Sequence, residues 1–134
     1  MVKKIKGNTI LCVEDEADIR SFTCKVLALE GYRCLEAETE DEVFRLLDEE
    51  DVNLVLLDLK LFEFDGWQIL EKIKKNQKTS AIPVIVCTVS FGQPQQDRAS
   101  SLGAADYLIK PLSANVLRNA VSRVLPLNVN TPRS

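Results

Sequence analysis

The chain has 134 residues, of which 46% are hydrophobic and 28% charged, and its formal net charge is -3. This length and balance are typical of one globular domain, and the charge gives no electrostatic reason to expect binding to nucleic acid or an anionic membrane. No apolar run approaches the roughly 20 residues that cross a bilayer, and no signal-peptide pattern follows the basic N-terminus. We therefore expect no direct contact with nucleic acid or membrane.

The sequence contains four cysteines and no histidine. Cys12, Cys24, Cys34 and Cys87 form no Cys-x-x-Cys pair and stand among apolar residues, where a free thiol packs as a small hydrophobic side chain. We interpret them as core residues of a cytoplasmic protein rather than as redox or metal-binding groups. The absence of histidine excludes Ser-His-Asp and Cys-His catalysis and any histidine-based metal site.

Apolar runs alternate with amphipathic segments, which predicts strands alternating with helices. The predicted strands cover 9–13, 32–37, 53–58, 82–88 and 105–109, and the predicted helices cover 17–30, 39–50, 67–75, 93–103 and 113–125. Five consecutive βα units with apolar central strands indicate a doubly wound α/β fold with a parallel sheet. We expect one domain over 9–125, an N-terminal lead over 1–8 and a C-terminal tail or linker over 126–134.

Single residues mark the predicted helix ends. Thr39, followed by Glu42, predicts a capped start for the second helix, Ser113 caps the fifth, and Gly31 ends the first. Helical spacing also predicts which apolar side chains face the core. They are Ile19, Phe22, Val26 and Leu29 in the first helix, Val43, Leu46 and Leu47 in the second, and Val116, Leu117, Ala120, Val121 and Val124 in the fifth.

Polar side chains gather where the predicted strands end, which is the functional edge of an open parallel sheet. The residues at these ends are Glu14, Asp15, Glu16, Asp58, Thr88, Lys110 and Pro111. Taken singly, each acid is better explained as a solvated loop residue or a helix cap than as a functional group. Together, the carboxylates repel one another unless a cation joins them, and their oxygens suit Mg²⁺. A lysine and a hydroxyl beside them suit a phosphoryl group, with Asp58 as candidate nucleophile.

Four segments in this order, ILCVEDE, LVLLDLKLFEFDGW, IPVIVCT and GAADYLIKPL, make the chain resemble the response-regulator receiver domains of bacterial two-component signalling over residues 8–125. The resemblance implies a CheY-like, flavodoxin-like (βα)5 sandwich with strand order 2-1-3-4-5. It implies a phosphorelay signalling domain rather than an enzyme. It also implies a switch in the surface formed by the fourth helix, the fifth strand and the fifth helix.

The resemblance also implies a role for each residue at the sheet edge. Asp58 corresponds to the phosphoacceptor. Asp15 and the Lys60 carbonyl correspond to direct Mg²⁺ ligands, and Glu14 to a ligand acting through water. Thr88 and Lys110 correspond to the groups that bind the phosphoryl oxygens, Tyr107 to the aromatic switch residue, and the Lys110–Pro111 bond to a cis peptide.

Two residues depart from the family pattern. Val89 follows Thr88, where relatives usually carry Ala or Gly, and Phe62 replaces the usual proline four residues after the acceptor. Both leave open a pseudo-receiver that works only as a protein-interaction module. A haloacid-dehalogenase-type phosphatase is disfavoured because Lys60 stands where its second Asp belongs. A flavodoxin-like FMN protein is disfavoured because the acidic VEDEAD loop repels phosphate.

The implied partners are a histidine kinase or phosphotransfer protein, and a downstream protein or fused output domain. The sequence leaves open whether the receiver stands alone or was part of a longer regulator. A phosphorylation-dependent homodimer through the fourth-helix region is a further expectation.

Overall fold

The computed structural model describes residues 8–61, 63–90 and 92–125. The predictions for the lead before residue 8, for Phe62 and for the tail lie outside these residues. The strands are β1 Thr9–Val13, β2 Arg33–Ala37, β3 Leu54–Leu57, β4 Val84–Thr88 and β5 Asp106–Ile109. The helices are α1 Ala17–Leu29, α2 Glu40–Glu49, α3 Gly66–Lys75, α4 Gln93–Ser101 and α5 Ala114–Val124. All ten predicted elements are confirmed, with ends that shift by one or two residues.

The five strands form one parallel sheet in the order β2-β1-β3-β4-β5, which confirms the expected flavodoxin-like topology. The central strands β1, β3 and β4 are buried along their whole length, as their continuous apolar sequences predict for strands covered on both faces. The edge strand β2 is less covered: Arg33 and Glu36 are exposed, Cys34 and Leu35 are half-buried, and only Ala37 is buried. Because the strands are parallel, the carboxyl ends of all five lie along the same side of the sheet.

Each face of the sheet has its own hydrophobic core. On one face Leu11, Val55 and Val86 pack with side chains of α2 and α3, including Val43 and Ile69. On the other face Ile10, Leu56 and Ile85 pack with side chains of α1 and α5, including Leu27 and Leu117. This division makes a three-layer sandwich, in which burial of apolar surface supplies the main stabilising free energy. In the described part of the chain, no helix is long and apolar enough to cross a membrane.

The predicted helix ends are confirmed. The Thr39 hydroxyl accepts a hydrogen bond from the Glu42 N–H at 3.2 Å, and the Ser113 hydroxyl accepts one from the Val116 N–H at 3.1 Å. Gly31 has φ of 93°, a left-handed conformation that favours glycine, and it follows the end of α1.

The predicted buried faces of α1 and α5 were partly wrong. In α1 the side chains of Phe22 and Leu29 are 42% and 84% exposed, while Thr23 and Leu27 are buried. Val26 is buried as predicted, but the stripe continues through the polar Thr23 instead of Phe22. In α5 the predicted Val116 is 46% exposed, whereas Leu117, Ala120 and Val121 are buried and Val124 is half-buried against the same core.

Helix α4 has the weakest apolar face, and Ala99 is its one buried residue. Its side chain Arg98 lies over the indole of Trp67 on α3, with the guanidinium carbon 4.1 Å from the ring centroid. A cation held over an indole face is attracted by the ring's electrons. This contact ties the polar α4 to α3.

Candidate functional site

The ends of β1 and β3 bring three carboxylates together. Carboxylate oxygens of Glu14, Asp15 and Asp58 all lie within 4.8 Å of one another. The strands fix this arrangement, because the Asp58 N–H donates to the Val13 carbonyl at 3.1 Å and continues the β1–β3 pairing by one residue. Glu14 and Asp58 are buried, and Asp15 is half-buried. Oxygen ligands at this spacing fit a hard divalent cation such as Mg²⁺.

Lys110, from the end of β5, supplies the positive charge of the site. Its ammonium group donates to Oδ2 of Asp58 at 3.0 Å and also pairs with Oε1 of Glu14. Its side chain is only 8% exposed, as is that of Asp58. The peptide bond that follows, between Lys110 and Pro111, is cis. One lysine thus faces two acids, with the carboxylate of Asp15 beside them.

Burial and the ion pairs with Lys110 shift the pKa values of this site. Burial raises the pKa of the Glu14 carboxyl, and the Asp58 charge acts in the same direction, although Lys110 and the Glu16 N–H oppose it. Burial works against the charge on Lys110, but its contacts with Glu14 and Asp58 outweigh that cost and raise the pKa of Lys110. Three carboxylates thus gather around one lysine ammonium group, an arrangement that suits a further cation.

The second oxygen of Asp58 is held by the backbone. Its Oδ1 accepts a hydrogen bond from the Lys60 N–H at 3.0 Å, while the Lys60 side chain points into solvent. Lys60 also forms an isolated antiparallel bridge with Asp65. The loop between them thus closes tightly, and the Asp65 carboxylate caps α3 by accepting from the Trp67 N–H at 2.9 Å.

Gly66 allows that tight closure. A Cβ at this position would lie 2.3 Å from the Asp58 carbonyl oxygen and 2.4 Å from the Leu59 Cα. The Gly66 N–H also donates to the Leu59 carbonyl at 3.1 Å. Gly66 is the first residue of α3, which therefore begins one residue before the predicted start at 67. The start of α3 is therefore packed directly on the backbone of Asp58.

Thr88 in β4 and Tyr107 in β5 are linked through one loop residue, Ser90. Thr88, at the end of β4, is fully buried, and its hydroxyl accepts a long hydrogen bond from the Ser90 N–H at 3.4 Å. The half-buried Tyr107 donates its hydroxyl proton to the Ser90 carbonyl at 2.8 Å. Burial raises the pKa of the Tyr107 phenol. Val89, between Thr88 and Ser90, is 55% exposed.

Sequence reasoning missed two features of the site. One is the direct ion pair between Glu14 and Lys110. The other is Arg20 on α1, which donates to the Glu14 carbonyl at 2.7 Å and to the Glu36 carboxylate at 2.8 Å. Nothing in the spacing of Arg20 along the chain signals this contact. Arg20 holds the β1–α1 loop that carries Asp15.

An open cleft of about 730 Å³ adjoins the acidic cluster. Its lining includes Asp15 after β1, Thr39 before α2, and Lys60, Leu61 and Phe64 between β3 and α3. Its size leaves room for a group from another molecule to approach the sheet edge.

Comparison with known proteins agrees with this architecture. A family model described as "Response regulator receiver domain" matches residues 10–122. A phosphate regulon transcriptional regulatory protein, PhoB, from Pseudomonas aeruginosa is 34% identical over 119 residues, which are 89% of this chain and 52% of that protein. A probable cyclic di-GMP phosphodiesterase from Vibrio cholerae is 34% identical over 113 residues, which are 84% of this chain and 25% of that protein.

The solved structures include a receiver domain protein (CheY-like) from Methanospirillum hungatei that superposes with a TM-score of 0.78. It is 29% identical and covers 86% of this chain and 90% of its own. The chain spans about half the length, or less, of the two curated relatives named above. A family match over most of the chain, a relative at this identity and the shared strand order lead to one conclusion. The chain belongs to the response-regulator receiver domain family of two-component signalling proteins.

Proposed function

We propose that this chain accepts a phosphoryl group on Asp58 from the phosphohistidine of a partner kinase or phosphotransfer protein, in a Mg²⁺-dependent reaction. The observation that carries this proposal is the environment of the Asp58 carboxylate. One oxygen is held by Lys110 at 3.0 Å and the other by the Lys60 N–H at 3.0 Å, with two more carboxylates close by. A nucleophile fixed between a lysine and a cation site suits phosphoryl transfer, which depends on positioning and charge stabilisation.

The family binds Mg²⁺ in an acidic pocket, and the donor set of this chain fits that ion. Asp15 and Asp58 would be direct ligands together with the Lys60 carbonyl, and Glu14 would act through water. Bound Mg²⁺ supplies positive charge to the phosphoryl oxygens during transfer. The carboxylate of Asp58 attacks phosphorus, the bond from phosphorus to the donor's leaving atom breaks, and Lys110 offers its ammonium to the phosphoryl oxygens.

Phosphorylation would act as a switch through Thr88 and Tyr107. New phosphoryl oxygens on Asp58 would attract the Thr88 hydroxyl, whose present hydrogen bond of 3.4 Å is weak. Movement of this loop would disturb the Tyr107–Ser90 hydrogen bond, which joins β5 to the loop before α4. The surface of α4, β5 and α5 would then shift population between two states and change its affinity for a downstream protein, a fused output domain or a second copy of the chain.

The proposal does not specify which downstream protein or output domain the receiver controls. The two relatives named above are a transcriptional regulatory protein and a probable cyclic di-GMP phosphodiesterase. Both are much longer than the segment they share with this chain, so a receiver of this kind is combined with different outputs. Direct nucleic-acid binding is assigned to no part of the receiver itself. A cytoplasmic location and the limits of the domain at 9 and 125 stay predictions.

The test is intact mass after incubation with a small acyl phosphate, with and without Mg²⁺. The wild type should gain one phosphoryl group only with Mg²⁺, and Asp58→Asn should gain none. Asp48→Asn, which changes an exposed aspartate on α2, should behave as the wild type. A gain that persists in Asp58→Asn would contradict the assignment of the acceptor.

The same assay on Val89→Ala separates two alternatives if the wild type is unreactive. Recovery in Val89→Ala would mean that the valine side chain narrows the path to Asp58. Continued lack of reaction, also with a phosphorylated histidine-containing donor protein, would favour the pseudo-receiver.

A further inference from the structure

Three of the four cysteines meet on one face of the sheet. In the pairing of β1 with β2, Cys34 lies next to Ile10. Ile10 and Cys12 are two residues apart in β1 and so point to the same face, which means that the side chains of Cys12 and Cys34 also share a face. Helix α1 covers this face with Val26 and Leu27, beside Cys34, and the Cys24 thiol on the same helix interacts with the thiols of both Cys12 and Cys34. All four cysteines are free thiols. Such a group of thiols has no role in phosphoryl transfer.

The three thiols are not equivalent. Contacts with the Cys12 and Cys34 thiols, aided by the charge of Arg20 one turn earlier on α1, outweigh burial and lower the pKa of the Cys24 thiol. Contact with Cys24 and burial raise the pKa of the Cys34 thiol. Cys24 is half-buried, so small molecules in solvent reach it more readily than they reach Cys12, which is 3% exposed. Thiolate character together with access is what makes a cysteine reactive.

We propose that Cys24 and Cys34 form a redox-responsive pair, which a hydroperoxide converts into a disulfide joining α1 to the edge strand β2. The Cys24 thiolate attacks the terminal peroxide oxygen, the O–O bond breaks, and an alcohol or water leaves with a proton. Cys24 is then a sulfenic acid. The Cys34 sulfur attacks the Cys24 sulfur and gives up its proton, the S–O bond breaks, and water leaves. Two thiols lose two electrons, and the hydroperoxide gains them.

Cys34 is the better partner because of its place in the sheet. Cys12 belongs to β1, which is hydrogen-bonded to β2 on one side and to β3 on the other. Cys34 belongs to β2, an edge strand with one neighbour, and is itself half-buried. A disulfide needs Cα atoms within about 7 Å and a defined dihedral angle. Small adjustments of an edge strand reach that geometry with less disturbance than adjustments of a central strand.

Tryptic peptides can identify which two cysteines form the disulfide. Trypsin cleavage after Arg20, Lys25, Arg33 and Arg45 places Cys12, Cys24 and Cys34 on three different peptides. The reduced protein would be treated with hydrogen peroxide, quenched with N-ethylmaleimide in denaturant and digested without reductant. We expect four alkylated thiols before oxidation and two after it, together with a linked peptide pair that contains Cys24 and Cys34.

The variants make the result specific. Cys24→Ala and Cys34→Ala should give no linked pair, whereas Cys87→Ala, which removes a buried thiol outside the cluster, should form the Cys24–Cys34 link at the rate of the wild type. A probe for sulfenic acid should label Cys24 in Cys34→Ala. A link through Cys12 in the wild type, oxidation of Cys24 to sulfinic acid without a link, or four free thiols after peroxide would each overturn the proposal. The experiment needs neither Mg²⁺ nor phosphorylation, so its result is independent of the proposed function.

Discussion

Replacing Gly66 by alanine sets two physical effects against each other. Gly66 is the first residue of α3, and in helices alanine is favoured over glycine by up to about 1 kcal/mol. Helix propensity alone thus predicts a more stable protein. The added Cβ, however, would lie 2.3 Å from the Asp58 carbonyl oxygen and 2.4 Å from the Leu59 Cα.

The distances decide which effect wins. Real Cβ contacts essentially never fall below 3.0 Å, so α3 and the Asp58–Leu59 backbone must separate by about 0.7 Å, the difference between 3.0 Å and 2.3 Å. The atoms in the way belong to the backbone and cannot rotate aside as a side chain does. Overpacking of this kind typically costs 1–3 kcal/mol, and we expect Gly66→Ala to lose about 2–3 kcal/mol of unfolding free energy.

Urea unfolding followed by circular dichroism measures this loss, and an unchanged slope shows that the two-state analysis holds. Gly31→Ala is the matched control. Gly31 has φ of 93° and no atom within 4 Å of the added Cβ, so alanine there suffers only backbone strain of about 1–2 kcal/mol. If Gly66→Ala is as stable as the wild type, or more stable, the argument from close packing is wrong.

Three further predictions concern the site and the helix ends. Burial raises the pKa of Glu14, so in metal-free buffer this group stabilises the fold at low pH and loses that contribution as the pH rises through its folded-state pKa. Glu14→Gln should lack this fall in urea midpoints, which begins above the pKa of an unfolded glutamate, about 4.3, and parallel profiles would contradict it. Lys110→Met leaves the buried carboxylates unpaired and should cost about 3 kcal/mol of unfolding free energy at neutral pH, whereas the exposed Lys60→Met should cost almost nothing; equal losses would refute the charge argument. Thr39→Ala removes the α2 cap and should lower the unfolding free energy by about 1 kcal/mol, while Thr39→Ser should restore most of it.

The order of elements could be predicted because it rests on strong periodic signals. The apolar runs at Thr9–Val13 and Val84–Thr88 are covered on both faces and contain no alternation, so they stand out from the helices between them. The buried face of α1 could not be predicted. Phe22 is apolar and lies beside the true stripe, while Thr23 is polar and lies within it. Tertiary packing determines which stripe of α1 is buried, and the residue types along the helix do not reveal it.

The gathering of acids at the sheet edge was predictable for a similar reason. Parallel strands end together, so Glu14, Asp58 and Lys110 meet although they are far apart in sequence. Sequence does not contain side-chain directions, however. The choice of Lys110 as a partner of Glu14, and of Arg20 as the group that holds the Glu14 carbonyl, depends on rotamers that only the packed structure determines.

The stack of Arg98 on Trp67 has a consequence for spectroscopy. Trp67 is the only tryptophan of the chain. It lies in α3, whose first residue is packed on Asp58, and its indole is covered by the Arg98 guanidinium of α4. The emission of an indole responds to charges close to its ring. The fluorescence of the unlabelled protein should therefore change when the distance between α3 and α4 changes, so one natural chromophore reports this movement without an added dye.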